Sequence, residues 1–252
     1  RPGARFGPAR IREVSVGLEE YSPYLDRELS EVRYFDAGDI PLPFGNAARS
    51  VEMIGEFVAR LLADGKFPLG LGGEHLVSWP IIREMVRVYP DLVVFHIDAH
   101  ADLRSDYEGE SYSHATPIRK ALELLGEGRI YQFGIRSGTR EEFQLARKKL
   151  HLYPYEVLQP LQEVLPKVAG RPVYVTVDID VLDPAYAPGT GTAEPGGITS
   201  GELLAAIHAI ARSDVRVVGA DIVEVAPIYD PTEQTPILAA KLVREMLLGW
   251  VK

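Results

Sequence analysis

The chain has 252 residues, of which 46% are hydrophobic and 25% charged, with a formal net charge of −9 and no cysteine. That length can bury a large core, no apolar run reaches the roughly 18 residues that a bilayer span needs, and the acidic balance argues against nucleic acid, which requires a basic face. Without cysteine there can be no disulfide, thiolate metal site or cysteine nucleophile, and the expected location is cytoplasmic.

Taken in chain order, a helix is predicted over Pro8–Leu18, a strand over Val32–Phe35, and a helix over Ala47–Ala63 that Asp64-Gly65 closes. Strands follow over Phe67–Leu71, Leu92–Ile97, Arg129–Ile135, Leu150–Tyr153, Val173–Ile179 and Val215–Val223. The helices between and after them are predicted over Trp79–Val88, Pro117–Leu125, Arg140–Lys149, Leu161–Val168, Ser200–Ala211 and Thr232–Leu248. Ser200 or Thr199 is placed to cap the helix Ser200–Ala211, with Glu202 in its first turn. Strands alternating with helices predict a mostly parallel sheet covered on both faces, a single-domain three-layer α/β/α sandwich over residues 1–252.

Ligands of such sheets collect beyond the carboxyl ends of the strands. Gly72-Gly73-Glu74-His75, Asp98–Asp102, Asp178–Asp183 and Glu224 each follow a predicted strand end, and together they define the predicted active-site rim. The longest irregular stretches are Gly38–Asn46, Ser105–His114 and Asp183–Thr199; the last, rich in Gly and Pro, is expected to fold over that rim.

In VVFHIDAHAD, Asp98, His100 and Asp102 recur at every second position as an apolar run ends, and a strand's period of two can send all three to one side. PVYVTVDIDVLDP repeats the design with Asp178 and Asp180 and adds Asp183. Carboxylates buried at core strand ends are costly unless something cationic neutralises them, so a pair of bound metal ions is expected. His75, Asp98, His100, Asp102, Asp178 and Asp180 are the candidate ligands. This hard, oxygen-rich set favours manganese-like six-coordination over tetrahedral zinc. Taken singly, the Gly-Gly-x-His segment also reads as an ordinary turn and Asp-x-Asp-x-x-Asp-Pro as a capped one; their convergence on one rim favours metal. His96 shares the parity of Asp98 but lies deeper, as a core histidine behind the ligands, and His151 and His208 read as structural or exposed.

LGGEH (Leu71–His75), HIDAHADL (His96–Leu103), SHATP (Ser113–Pro117), VDIDVLDP (Val177–Pro184), APGTGTAEPGG (Ala187–Gly197) and DIVEVAP (Asp221–Pro227), with RPGARFGP near the start, resemble the ureohydrolase superfamily of arginases and agmatinases in order and spacing, nearest the agmatinases. The resemblance covers nearly the whole chain. It implies an arginase-like fold and two Mn2+ per subunit, one held by His75, Asp98, Asp102 and Asp178, the other by Asp98, His100, Asp178 and Asp180, with Asp98 and Asp178 bridging. It also implies a mobile proton-transfer histidine at His114, a glutamate at Glu224 that grips the substrate guanidinium, a supporting catalytic-site role for Asp183, and a homo-oligomer, trimeric or hexameric. The chain departs from the pattern at Glu74, where Asp is commoner, at Ala115 after the histidine, where Gly is, and at Ala193, where Pro is. It also lacks the strand that usually precedes the RPG segment, so an N-terminal strand is expected to be missing.

Delocalised charge makes a guanidinium a poor electrophile, and a water shared by two divalent ions, its pKa sharply lowered, would supply hydroxide. His114 would relay a proton to the leaving amine. With Glu224 the loaded site would carry a net charge of about −2, which attracts a guanidinium. DLRSDYEGESYSHAT holds no Asn to bind an α-carboxylate and carries Asp106, Glu108 and Glu110, one of which is in reach of Arg104 as an ion-pair partner. Acidic residues at the mouth would tolerate a distal amine, so the expected reaction is agmatine to putrescine and urea. The alternatives are arginine or guanidinobutyrate as substrate, a single-zinc deacetylase of related fold, and a non-catalytic regulator of polyamine metabolism, which would have lost ligands.

Overall fold

A computed structural model of the chain describes residues 1–251. Its elements, in order, are α1 (Gly7–Ser15), β1 (Tyr21–Ser22), β2 (Arg27–Glu28), α2 (Ala47–Ala63), β3 (Leu69–Leu71), α3 (Ser78–Val88), β4 (Val93–Ile97) and α4 (Pro117–Leu125). They continue with β5 (Ile130–Ile135), α5 (Arg140–Lys149), β6 (His151–Pro154), α6 (Leu158–Val164), β7 (Pro172–Asp178), α7 (Ser200–Ala211), β8 (Arg216–Val223) and α8 (Gln234–Trp250).

The main sheet has the order β3-β8-β7-β4-β5-β6, and every pairing in it is parallel. β4 and β7 lie at its centre and are buried along their whole length. That explains their sequences, because a strand covered on both faces is mostly apolar and not alternating. Strand parity still sorts the side chains. Val93, Phe95 and Ile97 of β4 and Val173, Val175 and Val177 of β7 pack with residues of α1, α6, α7 and α8. Val94 and Tyr174, from the opposite parity, pack with residues of α2, α3, α4 and α5. These two cores on either side of one sheet form the expected α/β/α sandwich.

Most of the predicted elements are present with ends shifted by a few residues, but one strand is not. Val32 is buried, whereas Tyr34 and Phe35 are exposed, Phe35 by 89%. A β-rich run becomes a strand only beside another that takes up its backbone groups, and nothing pairs with Val32–Phe35 among the described residues. The segment instead crosses the surface, where Arg12 holds Asp36 at 2.7 Å and Asp39 at 2.6 Å. The two-residue ladder of β1 with β2 is too short to leave a periodic signal. No helix among the described residues is long and apolar enough to cross a membrane.

Helix starts follow local chemistry. Asn46 accepts from Arg49 N at α2, and Pro117 opens α4. Thr199, and not Ser200, caps α7 in a reciprocal box with Glu202. Thr199→Ala is expected to cost about 1 kcal/mol of stability, read as a lower midpoint in urea at an unchanged slope.

Candidate metal centre and active-site cleft

The same parity that sends β4 and β7 valines to one core directs polar side chains to the other face. His96 follows Val94, Thr176 and Asp178 follow Tyr174, and Asp221 on β8 accepts from Thr176 Oγ1 at 2.6 Å and from the Tyr174 hydroxyl. All of these are buried. Beyond β4 the chain stays extended along β5, with Asp98 N donating to Phe133 O and Ala101 N to Ser137 O. It then turns at Asp102, whose φ is +53°. His75 comes in after Gly72, where a Cβ would lie 2.6 Å from Val223 Cγ1 and 2.8 Å from Val77 Cγ2, so only glycine lets the chain pass this close to β8. Glu224, with φ +64°, donates its N–H to Gly73 O and accepts from His75 N at 3.0 Å, stitching two strand ends together. Left-handed backbone at two non-glycine residues costs on the order of 1–3 kcal/mol each and persists where surrounding structure imposes it.

His75 Nδ1 lies 3.0 Å from Asp98 Oδ2, 3.1 Å from Asp102 Oδ2 and 3.3 Å from Asp178 Oδ2. None of these oxygens lies where an N–H from that nitrogen would point, and the buried atom has no hydrogen-bond partner. Its other nitrogen, Nε2, is 2.9 Å from Thr176 Oγ1, whose own proton goes to Asp221. Nε2 therefore carries the hydrogen, and Nδ1 turns its lone pair towards three carboxylate oxygens. Such an arrangement is repulsive unless a cation sits among those atoms. A second nest lies alongside, with His100 Nδ1 2.9 Å from Asp180 Oδ2 and 3.7 Å from Asp98 Oδ1. Asp98 belongs to both. The donor set and its geometry fit two divalent ions.

Electrostatics agree. Burial and the carboxylates around it push Asp178 well above its ordinary value, and Asp180 also rises. Burial alone would lower the two imidazoles, but their carboxylate partners overcome it, raising His75 well above its ordinary value and His100 to about 12. Burial, then the neighbouring Glu74, raises Glu224 to about 8. Without metal the cluster thus takes up protons as its positive charge. The raised His100 contributes stability that is full below about pH 6.5 and is lost towards pH 12, while raised Glu224 favours folding less as pH climbs from 4.5 to about 8. In chelator, melting temperature is expected to fall steadily between pH 6.5 and 9; saturating divalent metal should raise the melting temperature and flatten that slope.

His96 supports the cluster from behind. Gln132 Nε2 donates to Ala101 O at 2.8 Å and approaches His96 Nδ1 at 3.0 Å, so His96 Nε2–H donates to Asp98 Oδ2 at 2.7 Å. Asp183 does not join the cluster. Its oxygens accept from the N–H groups of Ala185, Gly196 and Gly197, which hold its pKa low, and it clamps the Gly/Pro loop instead of facing a reacting group. Arg136 fixes the same loop to the metal-side turn, donating to Asp180 O at 2.7 Å, Val181 O at 3.1 Å and Glu194 O at 2.6 Å. Thr192 of that loop donates to Asp180 Oδ2.

A cleft of about 280 Å³ opens over His75, His100, Asp102 and Asp178, and His114, Glu224 and Thr192 also line it. Among the described residues, a larger groove of about 650 Å³ between α6 and α7 brings together no group of side chains able to hold a metal. The acidic residues expected at the mouth are elsewhere. Asp106 caps its own turn at Gly109 N, Glu108 and Glu110 are exposed, and none of the three lines the cleft. Arg104 lies 3.6 Å from Glu142 instead. Sequence reasoning passed over Glu142, Tyr107, Thr192, Thr176 and Asp221. The box Thr139-x-x-Glu142 was legible as a helix start, Thr176 shares the parity of Asp178, and Thr192 and Asp221 lie within the motifs of Ala187–Gly197 and Asp221–Pro227; nothing local marks Tyr107.

Fold and site define a class: α/β/α proteins with a buried binuclear metal site at the carboxyl ends of parallel strands. The arginase family model matches residues 1–249. The chain is 70% identical to an agmatinase of Bacillus anthracis and 67% identical to one of Bacillus subtilis, in each case over 100% of this chain and 87% of the relative. The crystal structure of the agmatine ureohydrolase of Thermoplasma volcanium superposes with a TM-score of 0.89 at 35% identity, covering 99% of this chain and 84% of that one. The chain belongs to the arginase family.

Proposed function

We propose that the protein is an agmatinase-type ureohydrolase that cleaves agmatine to putrescine and urea with two manganese ions per chain. The observation that carries this reading is the lone pair of His75 Nδ1 aimed at three buried carboxylate oxygens beside the His100–Asp180–Asp98 nest. Similarity to proteins named agmatinase supports agmatine over arginine or guanidinobutyrate. Retention of every candidate ligand speaks against a non-catalytic regulator. His75, Asp98, Asp102 and Asp178 would hold one ion and Asp98, His100, Asp178 and Asp180 the other, Asp98 and Asp178 being shared.

Bound there, the ions would supply the Lewis acidity that makes hydroxide available from water near neutral pH. Glu224, one oxygen of which is held by His75 N, has its other oxygen to receive the substrate guanidinium, whose positive charge would keep the carboxyl ionised. Burial holds the His114 imidazole below its ordinary value against the pull of Asp102. Neutral for much of the time near pH 7, it suits a shuttle that takes up a proton and passes it to the departing amine. Asp183 and Arg136 keep the loop over the cleft. The same reading carries a cytoplasmic homo-oligomer, whose trimeric or hexameric mass light scattering would read.

With manganese added, urea release from agmatine is expected to exceed that from arginine and 4-guanidinobutyrate by at least about 100-fold in kcat/KM, in line with the cost of leaving a site's polar groups unpaired; equal rates would sink the substrate assignment. Asp178→Ala should abolish turnover and reduce bound manganese, read by elemental analysis. His114→Ala should keep two metals per chain yet lose roughly 100-fold in kcat, the usual scale of a general acid or base.

A further inference from the structure

We infer that Tyr107 and Arg104 form a positioning stack that fixes the His114 imidazole over the cleft. The inference rests on the shuttle role proposed for His114. Hydrogen bonding holds that ring weakly, the one polar partner of Nδ1 among the described residues being Ser113 Oγ at 3.4 Å. What covers the ring is Tyr107, at 5.2 Å between centroids and a tilt of 58°, within the range in which aromatic rings attract. On Tyr107 lies the Arg104 guanidinium, with Cζ 5.2 Å from the ring centroid, close enough for a cation–π contact. Arg104 Nε in turn sits 3.6 Å from Glu142 Oε2.

The far end of this column is rigid. Glu142 is 5% exposed and receives Leu103 N at 3.0 Å and Thr139 N at 2.8 Å, so it is fixed to the start of α5. The loop is folded to match. Arg104 N donates to Ala115 O and closes its base, while Tyr107 and Glu110 exchange backbone hydrogen bonds at 2.9 Å and tie off its tip. The base and tip together bring positions 104, 107 and 114 to one side, and all three side chains line the cleft with Glu142. Among the described residues the Tyr107 hydroxyl makes no hydrogen bond to protein, so the ring face is what acts.

Kinetics of the manganese-loaded protein on agmatine test the stack. Tyr107→Ala should lower kcat about tenfold with KM within about twofold, the mark of lost orientation and not lost binding. Metal content and melting temperature should not change, because the side chain is 36% exposed. Tyr107→Phe should restore the rate and Tyr107→Leu, which keeps bulk without a ring, should not; Arg104→Ala should show a smaller loss of the same kind, about threefold. In a His114→Ala background, Tyr107→Ala should add no further loss. A wild-type kcat for Tyr107→Ala, a full additional loss in the double variant, or loss of metal would each overturn the stack. If His114→Ala itself turned over at the wild-type rate, the shuttle reading would fall first and the stack with it; a slow His114→Ala beside a fast Tyr107→Ala would remove the stack alone.

Discussion

Five carboxylates, those of Asp98, Asp102, Asp178, Asp180 and Glu224, are each less than a tenth exposed and converge from three strands of one sheet. Their mutual repulsion in a medium of low polarizability is the constraint to which the rest of the molecule answers. Two features ease it from within the protein: imidazoles placed between the acids, and backbone N–H groups such as those of Ala99, His100 and Asp180 turned on to their oxygens. Without metal the imidazoles take up protons to ease it further, and the crowding of His75 Nδ1 against three carboxylate oxygens marks where a divalent ion would take over that charge.

That orientation is inherited from deep in the sheet. Asp221 and Tyr174 are wholly buried, and through Thr176 they decide which nitrogen of His75 bears a hydrogen. The site is thus specified from behind, by side chains that touch no reacting group, as well as by those that face the cleft. β7 does both tasks: its residues of one parity build a purely apolar core, and those of the other pass from Tyr174 through Thr176 to Asp178.

The candidate ligands were legible because their chemistry is conspicuous: acids spaced two apart at the end of an apolar run have few other uses. The sandwich was legible because regular alternation of strand and helix leaves few alternatives. What stayed hidden depends on long-range contact. Val32–Phe35 has the composition of a strand, and only the absence of a neighbour shows that it is none. Asp106, Glu108 and Glu110 lie close in sequence to Asp102 but do not line the cleft, whereas Tyr107 between them does, since sequence proximity does not fix which side chains of a loop face the site. Asp183 follows Asp180 by three residues and not two, and the chain has already left the extended conformation, entering a 3-10 turn over Ile179–Val181, so it faces backbone amides instead.

Arg136 grips main-chain oxygens only, including that of Glu194. At Arg136 the loop is therefore anchored by the path of its backbone, whatever side chain stands at 194. Gly197 adds a second demand of this kind, because a Cβ there would lie 2.5 Å from Asp183 N. Between those anchors lie Pro195 and Gly196, both exposed, where the chain meets solvent and not Asp180. A catalytic scaffold tethered in this way can try new cargo while its reactive centre stands still.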